Sequence, residues 1–198
     1  MGNQNPPFSP FSKVIVLASK SPRRAQLLKE AGFNFRIHKM DVNEDFSSEM
    51  PVAEVAAYLA DKKASAADID IINENEILLT ADSVVVINNQ ILNKPVNKEE
   101  AFEMLQQLSD RTHIVYTGVC LRNKEKKIVF SNQTNVTFGK LSNHEIHYYI
   151  EQFNPMDKAG SYGIQEWIGF CKIRKIEGEY ANVMGLPVYA IYEELLKF

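Results

Sequence analysis

An α/β fold, built on a mixed sheet flanked by helices, is what the sequence predicts, and three observations predict it. Residues 14–18, Val-Ile-Val-Leu-Ala, are a β-branched and aliphatic run suited to the inside of a sheet, and Ser21-Pro22 opens a helix directly after them. Residues 77–87 form a second apolar strand pattern, and residues 112–121 and 127–138 alternate as long antiparallel strands around the polar turn Arg122-Asn123-Lys124-Glu125-Lys126. Helical periodicity lies between these runs, so strands and helices are interspersed along the chain.

At 198 residues the chain suits one domain with a sizeable core. Hydrophobic residues at 45% and charged residues at 24% exclude a disordered chain, and a net charge of -3 gives no general attraction to nucleic acid. Any anion-binding surface must therefore be local. Cys120 and Cys171 lie far apart in apolar, strand-like runs outside any metal-ligand spacing, which predicts buried free thiols in a reducing compartment. No apolar run approaches the roughly 18 residues of a membrane span, and residues 1–11 lack the order of a signal peptide. A cytoplasmic protein without a membrane or nucleic-acid partner is expected.

Residues 1–12 hold three prolines among small polar residues and predict a loose N-terminal arm. The first helix has Ser21 as N-cap, Pro22 as first residue and Gly32 at its end, with Ala25, Leu28 and Ala31 on one face and Leu27 beside them. Its N-terminus carries Arg23 and Arg24, which oppose the helix dipole. An anion held by the backbone N–H groups and the guanidinium forks accounts for that placement, whereas a solvated charged turn must bear a local cost.

Residues 33–40 read as a second strand, followed by an acidic loop with Asp41, Glu44 and Asp45. A helix is predicted over about residues 51–70 with Val52, Val55, Ala56, Leu59 and Ala66 on its apolar face. Lys63 falls on that face too, either snorkelling past the core edge or reaching for an anion. Within the strand at 77–87, Asp82 interrupts the apolar pattern. A carboxylate persists there only if it is paired, hydrogen-bonded, metal-bound or set at a break that opens on a cleft. It is the strongest catalytic candidate on physical grounds, against a structural aspartate capping a turn.

Asn88-Asn89 predicts a two-residue hairpin that returns Lys94 toward Asp82. Asn97 with Glu100, and Ser142 with Glu145, match capping boxes opening further helices, the second ending before Asn154-Pro155. His144 and His147, three apart, have no acidic or cysteine partner nearby and read as surface residues. The loop at 157–165 carries Lys158, two glycines and Gln165, whose amide can read a base edge. Residues 167–176 read as a strand, and the last helix turns Val188, Ile191, Tyr192 and Leu195 inward. Together these place an arginine-rich helix start, separate lysines and two carboxylates, Glu44 and Asp82, in one chain: a phosphate site with a metal option.

These residues also resemble a known family. Ser19-Lys20-Ser21-Pro22-Arg23-Arg24, Ala81-Asp82-Ser83-Val84-Val85, Lys94-Pro95, Thr117-Gly118-Val119, the run from Asp157 to Gln165, and Asn182-Val183-Met184-Gly185-Leu186-Pro187 are similar, in this order, to motifs of the Maf nucleoside triphosphate pyrophosphatases. The resemblance implies a mixed, strongly twisted sheet with a central cleft, residues 13–198 forming a single catalytic domain of two lobes. It further implies cleavage of a nucleoside triphosphate to the monophosphate and pyrophosphate with Mg2+ or Mn2+, and a homodimer. Asp82 corresponds to the proton acceptor, and Arg23, Ser83 and Gln165 to positions linked to substrate choice. Glu44, Lys63, Lys94 and Lys158 match other polar positions, Ser19 and Arg24 join them as candidate substrate-binding residues, and Glu44 and Asp82 are the carboxylates for the metal, sequence alone not separating metal ligand from proton acceptor. Ser83 stands where threonine is usual and Asn93 where glycine is common. The Gly163-Ile164-Gln165 ending resembles the branch that prefers dTTP and UTP. A nucleotide-sensing regulator of septum formation is the alternative that the resemblance leaves open.

Overall fold

The computed structural model describes residues 13–198, so the arm expected over residues 1–12 lies outside the described residues. The strands are β1 (Val14–Leu17), β2 (Phe35–Ile37), β3 (Glu76–Ile87), β4 (Gln90–Leu92), β5 (Thr112–Arg122), β6 (Lys127–Phe138) and β7 (Ile173–Glu177). The helices are α1 (Pro22–Glu30), α2 (Val52–Ala66), α3 (Lys98–Leu108), α4 (Asn143–Phe153), α5 (Trp167–Lys172), α6 (Tyr180–Val183) and α7 (Val188–Leu195). The described strands form a 7-stranded sheet in the order β2-β1-β3-β5-β6-β7, with β4 paired to β3. β1 runs parallel to β2 and β3, whereas β3 with β4 and β6 with β7 are antiparallel. The expected mixed α/β sheet is what forms.

The chain divides into two compact units. The first holds the described residues up to Asp82 together with Thr117–Asn132 and Gly185–Phe198; the second holds Ser83–Tyr116 and Gln133–Met184. In the first unit, α2 packs through a stripe of small residues. Ala56, Ala60 and Ala64 are fully buried, and Ala60, Ala64 and Ala67 join Val16, Ala18, Ile72, Leu78 and Cys120 in one cluster. Methyl-sized side chains at four-residue spacing let a helix backbone come close to a sheet. The sequence reading put Ala66 on this face, but it is exposed, because the buried stripe follows Ala60 and Ala64 instead. Ala31 is likewise exposed past the end of α1, where Leu27 and Leu28 supply the contact. The helix expected to reach residue 70 stops at Ala66 and gives way to a 3-10 turn at Ile69–Ile71 capped by Asp68.

Arg36 on β2 reaches across β1 to Glu76 at the start of β3, with Nε and Nη2 donating to the two carboxylate oxygens at 2.7 Å each. These bonds, aided by the Asn73 backbone, hold the Glu76 carboxyl at about 2, well below its ordinary 4.5. A depressed folded-state pKa contributes stability above the unfolded value and loses it as pH falls through the folded one. Arg36→Gln should therefore lower the urea midpoint at pH 6, with the deficit shrinking as pH drops from 4.5 to about 2. A deficit independent of pH over that window would assign the effect to packing alone.

In the second unit, the Asn88-Asn89 hairpin has φ of 50° and 60° at its two turn residues, the left-handed pair that a type I′ turn requires. Ser142 and Glu145 form a complete capping box on α4. Asn97 caps α3 through the Glu100 N–H, but the Glu100 side chain accepts from Val96 rather than from Asn97, so the second box closes one residue early. The strand predicted over 167–176 is corrected: residues 167–172 are helix α5, and only Ile173–Glu177 is strand. The Glu166 carbonyl accepts from the N–H groups of Gly169 and Phe170, which starts the helix. Cys171 on α5 is consequently exposed, whereas Cys120 is buried as expected.

Candidate active site

Thr80 and Asp82 lie two apart on β3 and thus on one face of the strand, and Ala60 and Lys63 lie one turn apart on α2. The Thr80 hydroxyl is fully buried and donates to the Ala60 carbonyl at 2.6 Å. This bond fixes how far along β3 the helix sits, and one step further on the same register brings Lys63 to Asp82. Lys63 Nζ donates to Asp82 Oδ1 at 2.5 Å and to Glu44 Oε1 at 2.7 Å. Lys63 and Asp82 are only 14% and 13% exposed, against 50% for Glu44, so the first two form the inner pair and Glu44 closes it from the solvent side. Of the settings that sequence allowed for Asp82, the structure shows the paired one, within an unbroken strand.

The start of α1 is tied to the same strand. Arg24 Nη1 donates to the Ala81 carbonyl at 2.8 Å and to Ser19 Oγ at 3.3 Å, and Nε donates to the Gly185 carbonyl at 2.8 Å. Burial is the largest influence on the guanidinium and lowers its pKa from the ordinary arginine value, while the field of Asp82 opposes that shift. Arg24 thus joins three motif segments, Ser19 to Arg24, Ala81 to Val85 and Asn182 to Pro187, through main-chain carbonyls and one hydroxyl. Ser19 Oγ also accepts from the Ser21 N–H at 3.1 Å, while the Ser21 side chain makes no cap bond. The named donors of Arg24 thus serve the fold. Arg23 is half-buried in the first turn beside it.

The second unit holds Ser83, Lys94, Lys158 and Gln165. β3 and β4 pair Val85 with Leu92 and Ile87 with Gln90, and Lys94 follows two residues after the end of β4. The Gly160 N–H donates to the Asn93 carbonyl at 3.2 Å, so the residue before Lys94 is joined to the loop that carries Lys158. Gly160 has a φ of +67°, and a Cβ there would stand 2.9 Å from Val85 Cγ1, so a glycine is required on both counts. Lys158 is 9% exposed and its ammonium meets Asp157 at 2.9 Å and Glu166 at 3.2 Å. Tyr162 anchors the loop in the core through His113 Nε2, 2.7 Å from its hydroxyl, with Phe138 against both rings. Burial lowers His113 to about 3, so the ring is neutral in this cluster.

Residues 14–198 match the family model described as Maf-like protein. The chain belongs to the Maf family. A dTTP/UTP pyrophosphatase of Flavobacterium psychrophilum is 46% identical over 182 residues, covering 92% of this chain and 93% of the relative. A dTTP/UTP pyrophosphatase of Porphyromonas gingivalis is 47% identical over 186 residues, covering 93% of this chain and 94% of the relative. Among solved structures, the Staphylococcus aureus Ham1 protein has a TM-score of 0.46 at 17% identity, over 64% of this chain and 72% of that one.

The Maf motifs fall within both units, and the structure adds residues that sequence reasoning missed. Thr80 sets the register of α2, and its signal was a polar residue two before Asp82 in an apolar strand. Glu166 follows Gln165 directly and holds Lys158; Tyr149 donates to Glu166 from α4. Nothing in the local sequence of α4 marks Tyr149. His144 and His147 are exposed, with His147 stacked on Phe102 at 4.7 Å. Among the described residues no three His, Cys, Asp or Glu side chains gather as a metal-ligand group. Glu44 and Asp82 do converge on one cation, the Lys63 ammonium. Two carboxylates meeting a cation fit Mg2+, which binds through one or two carboxylates completed by waters and substrate phosphates. Among the described residues no helix is long and apolar enough to cross a membrane.

Proposed function

We propose that this Maf protein hydrolyses dTTP and UTP to the nucleoside monophosphate and pyrophosphate. The observation that carries the reading is the Lys63 ammonium held between Asp82 and Glu44, an inner carboxylate able to accept a proton beside a cation able to meet phosphate. In this reading one water adds to the α-phosphorus, the bond from that phosphorus to the bridging oxygen breaks, and pyrophosphate leaves with the bond's electron pair. Asp82 accepts the proton that the water gives up. Lys63, Arg23 and the positive end of α1 offset negative charge on the phosphates, and Arg24 and Ser19 hold the backbone around Asp82 in place.

Glu44 and Asp82 would hold the divalent ion, Mg2+ or Mn2+, which supplies charge neutralisation at the phosphate oxygens. Gln165 reads the base, with Ser83 beside the same choice, and Lys94 and Lys158 carry positive charge to the substrate. Ser83 keeps the hydroxyl of the usual threonine without its methyl, so turnover survives that difference. Support comes from the names of the relatives, the order of the six motifs and the convergence of Asp82, Lys63 and Glu44. A pyrophosphate-release screen over the common and modified nucleoside triphosphates, with Mg2+ or Mn2+, tests the reading. Release that is fastest with dTTP and UTP is expected. No release from any nucleotide would sink it.

A further inference from the structure

The turn that carries Gln165 is closed by a chain of contacts beginning in the core. The Gly163 N–H donates to the Tyr149 hydroxyl at 2.9 Å, that hydroxyl donates to Glu166 Oε2, and Glu166 Oε1 meets Lys158 Nζ at 3.2 Å. The Glu166 N–H donates back to the Gly163 carbonyl at 3.0 Å, so the segment from Gly163 to Glu166 is pinned at both ends. The Glu166 and Gln165 side chains lie close over Gly163, where a Cβ would stand 2.8 Å from Glu166 Cδ and 3.0 Å from Gln165 Nε2. Burial above all, then the hydrogen bond to Glu166, raises the Tyr149 phenol above its ordinary 10, which keeps it protonated and able to donate.

Between the pinned ends, Gln165 Oε1 is buried and has no hydrogen-bond partner. An unsatisfied buried acceptor costs about 1 to 3 kcal/mol, a cost that a donor on a bound base would relieve. Thymine and uracil both carry an imide N–H, the donor that such an oxygen lacks, whereas cytosine presents a bare ring nitrogen at that position. An amide oxygen held toward the base would discriminate between them on that donor.

We propose that Tyr149 and Glu166 are positioning residues for nucleotide recognition, bracing the Gly163 to Glu166 turn so that Gln165 meets an imide and Lys158 is held in place. This rests on the proposed hydrolysis of dTTP and UTP and names two residues that set its base choice. Glu166→Ala and Tyr149→Phe should each raise KM for dTTP about tenfold and lower the preference for dTTP over dCTP by a similar factor, with kcat within about threefold of wild type. The double variant should be no worse than the poorer single one, because both break the same link. Glu166→Gln still accepts from the Tyr149 hydroxyl and should keep more of the preference than Glu166→Ala.

Circular dichroism melts identify any variant that fails to fold, and Glu166→Gln and Tyr149→Phe are the milder replacements for that case. Variants that lose thermal stability or active fraction while KM and base preference stay at wild-type values overturn the proposal. Should wild type hydrolyse no nucleoside triphosphate, the proposed function fails, and calorimetric titration with dTTP reads the brace separately. A Kd raised about tenfold by Glu166→Ala then supports it, whereas an unchanged Kd, or no binding by wild type, overturns it.

Discussion

Asp82→Asn should lower kcat for dTTP by about a thousandfold while changing the Kd of dTTP less than about threefold. The amide has nearly the shape of the carboxylate and can still accept a hydrogen bond from Lys63, so the strand and helix keep their places. What it cannot do is take a proton from water. Loss of one negative charge beside Lys63 favours an anionic substrate, which is why affinity does not fall with turnover. Glu44→Gln makes the useful comparison, because Glu44 is the half-exposed outer partner of Lys63. If Glu44 chiefly holds the divalent ion, raising Mg2+ or Mn2+ should restore much of the turnover of Glu44→Gln and little of that of Asp82→Asn. Stopped-flow pyrophosphate release and calorimetric titration check these outcomes. An Asp82→Asn enzyme retaining more than about a tenth of wild-type kcat would remove Asp82 from the role of proton acceptor.

The parts of this fold that could be read from sequence are those decided by local physics. Period-two alternation placed β5 and β6, the apolar run placed β3, and Ser142 with Glu145 placed the start of α4 within a residue. The Asn88-Asn89 hairpin followed because few residues other than glycine and asparagine accept positive φ at two successive positions. Residues 167–172 failed for an equally local reason. Six residues are fewer than two helical turns, so the run Trp167-Ile168-Gly169-Phe170-Cys171-Lys172 has no period to display and reads as strand on composition alone. What decides it is the Glu166 carbonyl accepting from the N–H groups of Gly169 and Phe170.

At the candidate site, residue types were legible and their connections were not. Asp82 stood out as a charge in an apolar strand, and Lys63 as a charge on an apolar helix face. That they are partners depends on the Thr80 hydroxyl finding the Ala60 carbonyl, 20 residues away in the chain. Arg24 looked like an anion-binding fork, yet its guanidinium meets the carbonyls of Ala81 and Gly185, 57 and 161 residues away. A backbone carbonyl carries no mark in the sequence, so ties of this kind appear only with the fold.

The same register argument predicts a large loss of stability from a single methyl group. Gly118→Ala should destabilise the protein by about 4 kcal/mol or more and leave most of it insoluble. A Cβ on Gly118 would lie 2.1 Å from both the carbonyl carbon and oxygen of Ala56, and 2.3 Å from the amide nitrogen of Ala57. All three are main-chain atoms in the middle of α2, so no rotamer change relieves the overlap, and the helix or β5 must move. Ala56 is seven residues before Lys63 on that helix, so a displaced α2 also carries the ammonium away from Asp82. Gly139→Ala is the matched control. Its added Cβ would meet only the Lys172 carbonyl at 3.5 Å and Arg174 Cγ at 3.8 Å, both ordinary contacts, so a change within about 1 kcal/mol is expected. Urea denaturation of the soluble fractions compares the two, and a Gly118→Ala midpoint equal to that of Gly139→Ala would mean that the close approach of α2 to β5 is not what holds the helix in register.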